Sequence, residues 1–113
     1  MAEEASKELQ NKVYEAIEIA KASGKLKKGT NEVTKSIERS KAKLVVVAND
    51  INPPEITMHL PLLSKEKGIP SVVVSSKEEL GAAAGLDVGT AAVAITEEGD
   101  AKKILKEITS SLK

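Results

Sequence analysis

Four side chains within one short stretch could do most of the chemistry in this chain: Asn31, Glu32, Lys35 and Arg39. An amide, a carboxylate, an ammonium and a guanidinium together supply hydrogen-bond acceptors, donors and positive charge. If a helix starts at Thr30 and advances about 100° per residue, all four fall within roughly one quadrant. Val33 and Ile37, four residues apart, then face the opposite way, where a core would lie. Lys27, Lys28, Gly29 and Thr30 stand immediately before, as a basic pair, a turn and an N-cap. The pattern reads as a nucleic-acid-reading face.

Charge supports that reading through its distribution, since formal net charge is zero. Between positions 21 and 43 stand eight basic residues (Lys21, Lys25, Lys27, Lys28, Lys35, Arg39, Lys41, Lys43) and two acidic ones (Glu32, Glu38), a net of +6. The remainder therefore carries −6. A polyanion responds to the local field and not to the total.

Other chemistries find little support. His59, the sole histidine, lies between Met58 and Leu60 with no triad-like spacing around it, and reads as a packing or surface residue. No cysteine and no second histidine are present for a metal site. Gly81, Gly85 and Gly89 match neither a dinucleotide fingerprint nor a phosphate-binding loop, and suit a helix end and a tight loop. Asn49 and Asp50 follow an apolar strand, where α/β proteins often bind ligands. That leaves a second reading, a small ligand-binding or receiver-like α/β signalling domain, although loop solvation and helix capping account for the pair more simply. No catalytic residue and no cofactor is expected.

The elements that must position these residues follow from periodicity. A helix is predicted over 5–22, with Leu9, Val13, Ala16, Ile17 and Ala20 on one side and Ser23-Gly24 at its end. Residues 25–28 suit an edge strand, and the polar helix spans about 31–40. The apolar runs 44–48, 71–75 and 91–95 read as strands, the first buried on both faces. A helix starts at Pro54-Glu55, is interrupted, and resumes with Pro61 as the first residue of a second piece. Ser76 to Glu79 forms a capping box before a helix that stops at Gly85. The last helix turns Ile104, Leu105, Ile108 and Leu112 inward. Alternating helices and strands predict an α/β protein, a three-layer α/β/α sandwich around a small, roughly four-stranded mixed sheet.

Length fits one domain over residues 1–113. Tyr14 is the only aromatic residue, so the core is aliphatic. No apolar run reaches the ~20 residues of a membrane span, and the polar, acidic start shows no signal peptide. The expectation is a cytoplasmic protein with no membrane partner.

The residues also carry a family likeness. Residues 29–35, Glu38-Arg39, 42–46, 53–56, 59–63, 66–70, 76–81 and 83–85 resemble, in collinear order, the archaeal ribosomal proteins of the L-seven-Ae family. The resemblance implies an α/β/α sandwich that binds kink-turn and kink-loop RNA. It implies service in the large ribosomal subunit and in box C/D and box H/ACA guide particles, in some members also in ribonuclease P, and never as the catalyst. Other ribosomal or guide-particle proteins would be partners, and the free protein a monomer. On that resemblance Glu32, Lys35 and Asn31 would contact guanine edges freed by sheared G·A pairs, with Gly29 and Thr30 opening the helix toward phosphate. Lys27, Lys28 and Arg39 would hold backbone on either side of the bend. The loop of Leu86, Asp87 and Val88 would cover a flipped-out nucleotide with its two apolar side chains, Asp87 turning to solvent. A plain connector is the alternative for that loop. Ser71, Ser75 and Asn49 depart from the relatives' usual aromatic, proline and glutamate.

Overall fold

The computed structural model describes residues 5–51 and 55–112, with the backbone alone for 55–57. The expected helix start at Pro54 lies outside the described residues.

The order is helix α1 (Lys7–Ser23), strand β1 (Lys25–Lys28), α2 (Thr30–Glu38), β2 (Leu44–Ala48), α3 (Glu55–Glu66), β3 (Ser71–Val74), α4 (Lys77–Ala83), β4 (Ala92–Glu97), a single 3-10 turn (Gly99–Ala101) and α5 (Lys102–Ser111). The sheet runs β1-β4-β2-β3. β2 and β3 are parallel, while β4 is antiparallel to both of its neighbours. β2 is therefore central, and every residue of it is buried, as its unbroken apolar run requires.

Strand pleating sends alternate side chains to two separate cores. Leu44, Val46, Ala48, Val72, Val74, Val93 and Ile95 meet α1, α4 and α5 on one face. Val45, Val47, Val73, Ala92 and Ala94 meet Val33 and Ile37 of α2 and Leu60 of α3 on the other. The chain is thus an α/β/α sandwich with a four-stranded mixed sheet, as its periodicity predicted.

Several local expectations need correction. α1 begins at Lys7 and not at Ala5, because Ser6 caps it by accepting from the Leu9 N–H. Ala5 instead donates its N–H to the Val73 carbonyl on the edge of β3. α3 is continuous through Pro61. Leu60 and Ser64, one turn apart, are both buried, and the Ser64 hydroxyl donates to the Leu60 carbonyl across the proline. Burial of both halves against one sheet outweighs the single backbone bond that Pro61 cannot make. Leu105 and Ile108 face inward on α5, but Leu112 is 40% exposed, one step past the helix end. β4 runs two residues beyond Ile95, to Glu97, because Lys25 of β1 pairs with it there.

Candidate nucleic-acid interface

α2 is rooted by two side chains. Val33 and Ile37 have no exposed surface, and each such burial contributes about 1.5–3 kcal/mol. That anchoring fixes what the opposite face shows: Asn31, Glu32, Lys35 and Arg39 are all exposed. The Glu32 carboxylate and the Lys35 ammonium stand 3.9 Å apart, so an acceptor and a donor are held side by side. The helix ends at Glu38 and not at about Ser40, so Arg39 is exposed from the C-cap, while Asn31, Glu32 and Lys35 stand on the helix itself.

The start of α2 differs from expectation. Gly29, not Thr30, takes the N-cap position, and no side chain caps the helix. Gly29 has φ +92°, a region that side-chain-bearing residues rarely adopt, and its N–H donates to the Ala92 carbonyl. The cap is therefore set by the strand pairing and carries no hydroxyl. Thr30 lies within the helix, its carbonyl accepting from the Thr34 hydroxyl. An uncapped N-terminus leaves backbone N–H groups and the positive end of the helix dipole open to an anion.

Lys27 and Lys28 are adjacent in sequence and opposite in space. Leu26 packs into the α1 side of the sheet, so the pleat turns Lys27 toward α2 and Lys28 toward α1. Lys27 joins Lys35 and Arg39 along a cleft of about 570 Å³ between β1 and α2.

The loop 86–90 arrives at the same end of the sheet as Gly29. It is tied to α4 at both ends, by Leu86 N–H to the Gly81 carbonyl and Thr90 N–H to the Lys77 carbonyl. A Cβ at position 81 would collide with the Val88 carbonyl, so glycine there permits the close approach. Gly81 thus shapes the loop, which spacing alone did not show. Thr90 also donates its hydroxyl to the Ala92 carbonyl that Gly29 engages. Val88 is 71% exposed, Asp87 is exposed, and Leu86 is half-buried. Of the expected apolar pair, Val88 is the one presented.

Asp50 has a structural employment. Its Oδ1 accepts from the Lys77 N–H at 2.8 Å, capping the start of α4 from a distant loop. His59 is exposed on α3. Among the described residues no group of three His, Cys, Asp or Glu could hold a metal ion, and no helix is long and apolar enough to cross a membrane.

An α/β/α sandwich presenting a polar helix face beside an exposed apolar loop defines the class. Residues 11–105 match the ribosomal protein L7Ae/L30e/S12e/Gadd45 family, and the chain belongs to that family. Among solved structures it is similar to the Giardia lamblia 15.5kD RNA binding protein, with a TM-score of 0.90 and 33% identity over 96% of this chain and 90% of that one.

Proposed function

We propose that this chain is an RNA-binding scaffold that recognises kink-turn and kink-loop motifs. The observation that carries the reading is the exposed set Asn31, Glu32, Lys35 and Arg39 on a helix rooted by Val33 and Ile37. Family membership and likeness to an RNA-binding protein support it. Glu32 accepts from the donor edge of a guanine, while Lys35, beside it, donates to the guanine O6. Asn31 makes either kind of bond. The open helix N-terminus takes a phosphate, Arg39 and Lys27 hold backbone on the cleft side, and Lys28 holds it from the other face of β1. Val88 covers a base flipped from the bulge, with Leu86 beneath.

In this reading the protein acts in the cytoplasm as one domain over residues 1–113, binds as a monomer, and performs no catalysis itself. It places RNA for ribosomal proteins, for box C/D or box H/ACA guide-particle proteins, or in ribonuclease P. The test is affinity for a kink-turn RNA against the same RNA with its sheared G·A pairs replaced by Watson–Crick pairs. Glu32→Ala is expected to cost about 1–3 kcal/mol on the first RNA and little on the second. Because the change removes a negative charge, tighter binding to both RNAs would sink base readout. Val88→Ser should weaken a bulge with a flipped nucleotide more than one with that nucleotide deleted.

A further inference from the structure

The cleft beside α2 continues well past the side chains that read bases. It is lined by Lys25, Lys27, Lys35, Arg39, Lys41 and Lys43. Its two carboxylates are both engaged, Glu97 with Lys25 at 3.2 Å and Glu32 with Lys35 at 3.9 Å. The cleft starts between Lys27 of β1 and Glu32 in the first turn of α2. It finishes at the other end, where the Lys43 N–H meets the Ile95 carbonyl and Lys25 pairs with Glu97. Four strand residues or nine helical ones both span about 13 Å.

Two features argue that the far end is more than a solvated edge. Lysines on an edge strand commonly prevent edge-to-edge pairing, which accounts for Lys25 and Lys27. That reason does not reach Lys41 and Lys43, which lie in the turn between α2 and β2, off the edge. The turn also depends on Ser40, the one described non-glycine residue with positive φ, at +56°. Left-handed backbone at Ser40 closes α2, with the Lys41 and Ala42 N–H groups both donating to the Ser36 carbonyl. This strained turn sets Lys41 and Lys43 along the cleft.

We infer that the far half of this cleft, at Lys41 and Lys43, is a phosphate track for the RNA backbone leaving the reading helix. It lengthens the RNA contact by about one strand length. The inference rests on the RNA-binding reading above, and adds that an RNA arm, and not the kink alone, is gripped. Each phosphate neutralised contributes about 0.7–0.9 to the slope of log affinity against log salt. Two lysines therefore contribute about 1.4–1.8.

The test compares the unchanged protein with Lys41→Ala/Lys43→Ala on two kink-turn RNAs across a salt series. One RNA has long helical arms, and the other has arms trimmed to the fewest pairs that keep the kink. Both side chains are exposed, and thermal unfolding checks the fold. The track predicts that the double variant lowers the slope by about 1.4–1.8 on the long-armed RNA and leaves the short-armed slope unchanged. Lys41→Arg/Lys43→Arg should restore the long-armed slope. An unchanged slope on the long arms, or an equal fall on both RNAs, overturns the track while leaving kink recognition intact. If the unchanged protein bound neither RNA, the RNA reading itself would fall, and the track with it.

Discussion

The two edges of the sheet are finished in opposite ways. At β3 the chain closes its own edge. The Ala5 N–H donates to the Val73 carbonyl, and the Gln10 side chain acts as a miniature strand. Its amide nitrogen donates to the Ala5 carbonyl at 2.8 Å, while its oxygen accepts from the Ser75 N–H at 2.9 Å. At β1 no segment among the described residues covers the edge. Charge guards it instead, through Lys25, Lys27 and Lys28, and α2 stands beside it with an uncapped N-terminus. An edge satisfied by hydrogen bonds is finished with. An edge kept open by cations remains available to a polyanion. The contrast explains how a chain of zero net charge keeps one cationic edge, which the proposed RNA surface requires.

The comparison breaks most severely if α2 loses its root. Ile37→Ala removes a fully buried side chain and should cost about 2–5 kcal/mol of stability in urea denaturation. RNA affinity should fall with it, since the reading side chains hang from that helix. A loss of RNA affinity with full stability would mean that Ile37 contacts RNA and is not only an anchor.

Gln10→Ala tests the closed edge and should cost about 1–2 kcal/mol, by removing the two hydrogen bonds through which Gln10 ties Ala5 to Ser75. RNA affinity of the folded protein should stay unchanged. Lys27→Ala should show the mirror result, with stability within about 0.5 kcal/mol of the parent and a salt slope lower by about 1. Loss of RNA binding in Gln10→Ala would show that the two edges are coupled.

Ser40→Gly should stabilise the protein by about 0.5–1 kcal/mol, because glycine adopts the left-handed turn without the Cβ penalty. Thermal unfolding reads this directly. A destabilised variant would mean that the Ser40 side chain makes a contact worth more than the strain.

An effect that is silent at neutral pH belongs to Tyr14, behind the closed edge. Its hydroxyl is buried beside the Glu79 carboxylate and, among the described residues, makes no hydrogen bond of good geometry. Burial first, and the nearby Glu79 carboxylate second, push its pKa up to about 12 from the ordinary 10. Tyrosinate absorbance in the folded protein should therefore rise near pH 12, and near 10 in denaturant. The folded state holds this proton more tightly than the unfolded chain does. Its contribution is thus constant below pH 10, and stability falls as pH climbs from 10 toward 12. Folded-state titration at 10 would place the phenol in water.

Periodicity alone was enough for the order of elements and for which side chains of α2 turn away from the core, because both are local. Side chains four apart on a helix share a face whatever surrounds them, so Val33 and Ile37 had to turn away from Lys35 and Arg39. An apolar run without alternation had to be a strand covered on both sides, and β2 is one. Matters that depend on residues far apart in the chain were decided by the fold. Gly29 became the cap of α2 because Ala92, across the sheet, accepts its N–H. Asp50 was drawn into capping α4, its Oδ1 accepting from the Lys77 N–H across 27 residues of chain. Pro61 stayed inside one helix because Leu60 and Ser64 were buried together. Lys27 and Lys28, identical as letters, were separated by the pleat. The course of the Val88 loop required the close approach to α4 that Gly81 permits. Local spacing fixes which way a side chain points on its own element, but only packing brings distant elements to the same end of a sheet.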